Sequence, residues 1–266
     1  MKNLNLEKVD ITNFAITAAS SLINLNNRIF TVCDDQYGLY ELKNDGLWFY
    51  HQNPLSPLLP KDPKQLKAIK PDYEALMASE SENNILLIPS GSRPDRTNVL
   101  SFNLLTNKFE SLNFEIFYRM LAKNIPLINI EGAAKFQEKY LFLNRGIMDT
   151  RTSILSVNAN TLEMEKIIEL DFGALENVYL HGSELCIHDN YLYILAVAED
   201  SSNSYDDGII KGSSLFKVSM LDFSILDRWN FNLPIKAEGL CRWKDKWLIC
   251  TDPDGQGVSQ FYCFSI

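Results

Sequence analysis

Polar and apolar residues alternate along this chain in short runs, and the runs repeat. Ala19-Ser20-Ser21-Leu22-Ile23 precedes Arg28-Ile29-Phe30-Thr31-Val32, and Tyr73-Glu74-Ala75-Leu76-Met77 precedes Asn84-Ile85-Leu86-Leu87-Ile88. Ile130-Glu131-Gly132-Ala133-Ala134, Gly182-Ser183-Glu184-Leu185-Cys186 and Ala237-Glu238-Gly239-Leu240-Cys241 precede apolar runs beginning at Tyr140, Tyr191 and Lys246. Between the members of each pair lies a short polar turn: Asn26-Asn27, Ser81 to Asn83, Gln137-Glu138, Asp189-Asn190 and Lys244-Asp245. Such turns suit tight β-hairpins. Third strands are predicted at Gly38 to Leu42, Asn98 to Asn103, Ser153 to Asn158, Ser214 to Ser219 and Gln260 to Ser265. Fourth strands follow in four units, as at Glu165 to Leu170 and Leu226 to Asn232.

Ser20, Glu74, Glu131, Ser183 and Glu238 stand at equivalent places, 52 to 57 residues apart. Five units of four strands predict an all-β, five-bladed β-propeller occupying residues 1–266 as one domain. The fifth unit lacks its last strand, and Leu4 to Ile11 is predicted to supply it and remove the open edge. Helix is not required, although Lys61 to Lys70 and Phe117 to Lys123 have the pattern of short helical turns. Asn53 to Pro63 reads as an extended linker, and Glu199 to Ser213 as a surface loop.

Composition narrows the partners. The formal charge of −9 argues against nucleic acid and is compatible with a divalent cation. No apolar run is long enough to span a membrane, and MKNLNLEKVD lacks a secretory apolar core, so the expectation is a cytoplasmic monomer. The five cysteines show no metal spacing and read as small buried hydrophobes in a reducing compartment. His51, His181 and His188 are too scattered in sequence for a zinc signature.

In a propeller the first strand of each blade lines the axis, and the loops between second and third strands rim the same opening. The five repeated positions therefore converge. Three carboxylates on one axis repel by about 4 kcal/mol per pair at 4 Å and intermediate dielectric. Protonation, pairing with rim arginines, or a bound hard cation would each relieve this. The cation reading takes Ser20, Glu74, Glu131, Ser183 and Glu238 as ligands, with Ca2+ before Mg2+. In blade four, Glu184 competes with Ser183 for the inward position. The rim offers Arg93, Arg96, Asn144 and Arg145 to hold a substrate, and Asp34, Asp35, Asp252 and Asp254 as candidate catalytic acids or bases.

The order Ser, Glu, Glu, Ser, Glu through five blades resembles the soluble calcium-activated nucleotidases, or apyrases. So do Asp34-Asp35 with Gly38-Leu39-Tyr40, and Lys236-Ala237-Glu238-Gly239-Leu240. That resemblance implies a five-bladed propeller with one Ca2+ in its channel. Cys33 is an extra residue before the Asp pair. Lys70-Pro71-Asp72-Tyr73-Glu74 with Gly91-Ser92-Arg93 and Asn144-Arg145-Gly146 is also similar to uncharacterised bacterial propellers of phytase-like and lactonase-like style. Two functions follow as expectations: a cation-dependent hydrolase of a small anionic or phosphorylated molecule, or a non-enzymatic binding propeller with a structural cation. The second would use aromatics such as Tyr37, Trp48, Tyr118 and Tyr205.

Overall fold

The computed structural model describes residues 2–266 apart from 12, 14, 55, 80, 82, 147–149, 201–207, 255 and 256. The N-terminus contributes β1 (Lys2–Leu4) and β2 (Glu7–Lys8). Blade one is β3 (Ala19–Leu25), β4 (Arg28–Cys33), β5 (Gly38–Leu42) and β6 (Trp48–Gln52). Helix α1 (Pro63–Ile69) leads to blade two, β7 (Tyr73–Ala78), β8 (Asn84–Pro89), β9 (Val99–Asn103) and β10 (Lys108–Leu112). Helix α2 (Glu115–Asn124) leads to blade three, β11 (Ile130–Phe136), β12 (Lys139–Asn144), β13 (Thr152–Asn158) and β14 (Met164–Leu170). A short β15 (Ala174–Leu175) precedes blade four, β16 (Val178–His188), β17 (Tyr191–Asp200), β18 (Ile209–Ser219) and β19 (Ile225–Phe231). Blade five is β20 (Ala237–Trp243), β21 (Lys246–Thr251) and β22 (Phe261–Phe264). The sheets form a five-bladed β-propeller.

The hairpins follow their turn chemistry. Asn26 and Asn27 both have positive φ (55° and 60°), as do Asp189 and Asn190 (49° and 61°). Paired positive φ matches the right-handed strand twist, and Asn and Asp tolerate it well. Blade five closes as predicted, with Glu7 opposite Cys263 and Lys8 opposite Tyr262 in an antiparallel pair. The N-terminus also does something the repeat pattern did not indicate. Its first strand runs parallel to the outer strand of blade four, Lys2 opposite Trp229 to Leu4 opposite Phe231. One segment thus clasps two blades.

Two other expectations change. The Phe117 region is a ten-residue helix rather than a turn, because Phe117, Tyr118 and Leu121 share a face buried between blades two and three. Part of the Glu199 to Ser213 insert is strand, since β17 and β18 extend their pairing to Asp200 and Ile209. Its centre, with Tyr205, lies outside the described residues.

Apolar faces of neighbouring blades meet in five clusters, one per seam. Phe30, Leu39 and Val32 meet Tyr73, Leu87 and Phe102 at the first seam; Trp48 and Tyr40 meet Phe261 and Leu248 at the last. Trp48 and Tyr118 are therefore core residues, not exposed binding aromatics; the Tyr118 hydroxyl donates to Pro89 O at 2.7 Å. Tyr37 is partly buried and meets Tyr73 edge-on, ring centres 6.3 Å apart. All five cysteines are free thiols, and burial pushes Cys33, Cys241 and Cys250 well up. They pack as hydrophobes. No described helix is long and apolar enough to cross a membrane.

Candidate functional site

Each inner strand breaks register once, at the same place. The shifts fall between Ala19 and Ser21, Tyr73 and Ala75, Ile130 and Gly132, Gly182 and Glu184, and Ala237 and Gly239. The residues inside these five β-bulges are Ser20, Glu74, Glu131, Ser183 and Glu238. A bulge re-aims one side chain out of the ladder, so the repeated sequence position is also a repeated backbone device. Ser183, rather than Glu184, is the bulged residue of blade four.

The start of every inner strand is anchored to the preceding blade. Ala19 N donates to Ser259 Oγ, Asp72 N to Asp34 O, Ile130 N to Ser90 O, Gly182 N to Thr152 Oγ1 and Ala237 N to Ser213 Oγ, all at 2.8–3.1 Å. These bonds run around the mouth and fix the ring against the rim loops.

The two serines point into seams. Ser20 Oγ donates to Tyr73 O at 2.9 Å and Ser183 Oγ donates to Ala237 O at 2.7 Å. Both acceptors precede the next blade's bulged glutamate. The three glutamates are met by basic side chains. Arg145 reaches Glu131 at 3.6 Å and Glu199 at 2.8 Å. Lys236 lies 3.5 Å from Glu238, 3.1 Å from Asp252 and 2.6 Å from Asp254. Lys70 pairs with Asp34 and, at 3.0 Å, with Asp72, and its charge acts on Glu74. Burial works to lower Lys70, Arg145 and Lys236, but their carboxylate neighbours outweigh it and raise all three.

Carboxyls still exceed cations here. Asp34, Asp35, Asp72, Glu74, Glu131, Glu199, Glu238, Asp252 and Asp254 face Lys70, Arg96, Arg145 and Lys236. Burial, reinforced by neighbouring carboxylates and opposed by Lys236 and Arg145, pushes Glu238 well up; its Oε2 is buried without a hydrogen-bond partner. Burial also raises Glu74, with Asp72, Glu131 and Asp34 adding to it and Lys70 opposing, and raises Glu131 against Arg145 and Lys236. Asp34 is pushed up to about 7 by burial, against Lys70, and Asp254 to about 6 by burial, against Lys236. Asp35 is raised by burial despite the Thr17 hydroxyl, and its Oδ1 is a second buried atom without a partner. Glu199 is shifted the other way. Burial pushes it up, but Arg145, Lys236 and the Gly208 amide hold it below the usual range.

The substrate candidates separate. Arg93 is exposed and engaged by Asp95 at 2.9 Å. Arg96 is buried, bound to Asp72 at 2.8 Å and to Lys67 O at 3.0 Å. Asn144 is buried and holds the 127–129 segment, accepting from Asn129 N and donating to Leu127 O. Arg145 lies in the ring. Several residues of the site lay within the quoted motifs or rim loops but were given no role from sequence: Lys70, Asp72, Glu199 and Lys236. Asp72 also has positive φ (61°) and accepts from Ser90 Oγ, Arg96 and Lys70. One oxygen each of Asp34, Asp72 and Glu74 lies within 4.8 Å of the others, a spacing that can hold a metal ion.

Residues 15–266 match a family described as a family of unknown function, DUF6929. The chain belongs to the DUF6929 family. No curated protein matches it. Among solved structures, this DUF6929 protein is similar to a luciferin-regenerating enzyme (TM-score 0.54, 10% identity, 99% of this chain and 96% of that one). It is similar to a proposed glycoside hydrolase from Parabacteroides distasonis (TM-score 0.56, 9% identity, 97% and 95%). It is also similar to an exo-1,5-α-L-arabinanase from a bovine ruminal metagenomic library (TM-score 0.54, 7% identity, 99% and 94%). At such identities these similarities show a shared propeller fold.

Proposed function

We propose that the channel mouth binds a divalent cation, Ca2+ before Mg2+, and that the cation draws a small anionic substrate to the mouth for hydrolysis. The observation that carries this reading is the surplus of carboxyls, with Glu238 Oε2 buried and unpartnered among them. A buried unsatisfied carboxylate oxygen is costly, and a hard cation is the ligand that several converging oxygens suit. Ser20 and Ser183 fit the same role. Each gives its hydroxyl proton to a carbonyl, which leaves oxygen lone pairs for an ion. Without a cation the acidic mouth repels anions. With one, substrate charge is neutralised and a water can be activated. Asp34 and Asp254, raised to about 7 and about 6, are suited to taking up and releasing a proton near neutral pH. Arg93, held only at the exposed rim, is the arginine available to meet the substrate. The resemblance of the Ser, Glu, Glu, Ser, Glu order to that of the nucleotidases supports the same reading.

A second reading is metal-free glycosidic hydrolysis. It is favoured by the contrast between raised Asp34 and lowered Glu199, since carboxyls of opposed protonation suit acid and base roles. The glycoside-hydrolase and arabinanase names of two fold neighbours point the same way.

Thermal melting with Ca2+, Mg2+ or EDTA separates these. Saturating Ca2+ at about 100 times Kd stabilises by roughly 2.7 kcal/mol, a Tm rise on the order of 5–10 °C for a chain of this size. No response to Ca2+ or EDTA would sink the cation reading. Nucleotides, sugar phosphates, lactones and aryl glycosides, assayed with and without Ca2+, then decide the reaction. Turnover of aryl glycosides in EDTA supports the second reading, and binding without turnover supports a non-enzymatic propeller.

A further inference from the structure

Glu184 competes in sequence with Ser183 for the channel, and the structure gives the bulge to Ser183 and the reach across the axis to Glu184. Ser183 is the bulged residue, and Glu184 follows it with only 1% of its surface exposed. Its Oε2 accepts from Ser21 Oγ at 2.5 Å. Ser21 belongs to blade one, which is not a neighbour of blade four in a five-membered ring, so the Glu184 side chain crosses the axis. Its carboxyl also accepts from Leu185 N at 2.9 Å and from the Leu22 amide. Ser21 Oγ in turn accepts from Leu76 N of blade two at 3.0 Å. Blade three makes room. A Cβ at Gly132 would stand 2.9 Å from Glu184 Oε1 and 2.7 Å from Leu185 N. One carboxyl therefore joins blades one, two and four beneath the ring, in space that blade three leaves open.

Ser21 directly follows Ser20, and Glu184 directly follows Ser183. The bond between them spans the channel one residue below the two uncharged members of the ring. We propose that Glu184 is the positioning residue of the channel site: its reach to Ser21 sets the separation of Ser20 and Ser183 across the axis without itself being a ligand. No described cation pairs with it, and its three donors are an O–H and two amides. Its role is thus one of hydrogen-bond acceptance without ion pairing, and a glutamine of the same length keeps one acceptor oxygen while placing an NH2 donor where the other oxygen accepts.

The consequence for cation affinity rests on the cation reading above, and the test has an arm that does not. Calorimetric Ca2+ titration of the full chain should show affinity falling on the order of 10-fold or more in Glu184→Ala and Ser21→Ala, as for residues that orient ligands. Glu184→Gln, which keeps the length and one acceptor oxygen, should fall between wild type and Glu184→Ala, and the Glu184→Ala/Ser21→Ala double variant should be no worse than either single one. Affinity unchanged in Glu184→Ala, or a double variant much weaker than either single one, overturns the proposal. If the wild type itself binds no Ca2+, the cation reading fails alone. Hydrogen exchange at the Leu22 and Leu76 amides, measured in EDTA, then decides. Protection lost at both amides in Glu184→Ala supports the positioning role, and protection unaltered in Glu184→Ala removes it. If Glu184→Ala does not fold, Ser21→Ala read at the Leu22 amide, which Glu184 itself holds, makes the same distinction: protection lost there supports the reach across the axis and protection unaltered removes it.

Discussion

The two serines and the three glutamates of the ring occupy the same β-bulge, yet they do opposite things. Ser20 and Ser183 turn their hydroxyls into the next seam and bind a carbonyl there. Glu74, Glu131 and Glu238 place carboxyls in the channel, where burial raises them toward the neutral form and Lys70, Arg145 and Lys236 oppose it. The backbone device is common, and the side chain decides between clasping a seam and building a field. Burial sharpens the difference. A hydroxyl needs one acceptor, whereas a carboxylate removed from water needs compensating charge or a proton.

Removing a compensating charge should produce the largest effect. Lys236 has an 11% exposed side chain set among Glu238, Asp252 and Asp254. Lys236→Met leaves those carboxyls unmatched, and breaking a buried pair costs about 3–5 kcal/mol. Chemical denaturation should show that loss, and adding Glu238→Gln should return part of it. If Lys236→Met were no less stable than wild type, the glutamates would not rely on internal cations.

Removing a clasp should cost less. Ser20→Ala or Ser183→Ala leaves a buried carbonyl without its donor, a loss of about 1–3 kcal/mol. The two serines lie in different seams and share no partner, so their losses should add. A double variant well short of additive would mean that the ring acts as one unit.

The five ring positions and the rim arginine Arg145 were legible in the sequence; the serine clasps and the lysines were not, and the reason is geometric. A bulge recurs at the same point of each inner strand, so the five positions align by repeat alone. The cations follow no such period. Lys70 lies four residues before Glu74 and Lys236 two before Glu238, while Arg145 comes from the strand-two end opposite Glu131's strand. Long flexible side chains reach the channel from wherever their length allows, so no alignment of repeats reveals them. Asp72 was hidden differently: its place depends on a positive φ that composition does not announce. The closing strand was readable from an unpaired edge, but the parallel contact of β1 with blade four needed the folded register.

Acidity gives a third way to part the two groups. Asp34 and Asp254 have folded-state pKa values raised to about 7 and about 6 over an ordinary value of 3.8. For a carboxyl raised on folding, the stabilising contribution is whole below the unfolded value and is lost as pH climbs through the folded one. The metal-free protein should therefore lose stability between about pH 4 and pH 7. Ca2+ should raise Tm more at pH 8 than at pH 5, where protons already relieve the repulsion. Ser20→Ala and Ser183→Ala should shift melting curves equally at both pH values. A Ca2+ response larger at pH 5 would contradict the assignment of the surplus charge to these carboxyls.

The smallest effect on stability belongs to Arg93, and for that reason it tests function most cleanly. Its partner Asp95 is more than half exposed, and its own side chain is 39% exposed. Exposed pairs contribute about 0–1 kcal/mol, so Arg93→Ala should melt within experimental scatter of wild type. Lys236→Met removes structure and activity together and cannot tell a wall from a working group. Arg93→Ala can. If an anionic substrate is turned over at this mouth, the variant should raise KM while leaving Tm and Ca2+ affinity unchanged. An unchanged KM would confine substrate contact to the ring and exclude the rim arginine from it.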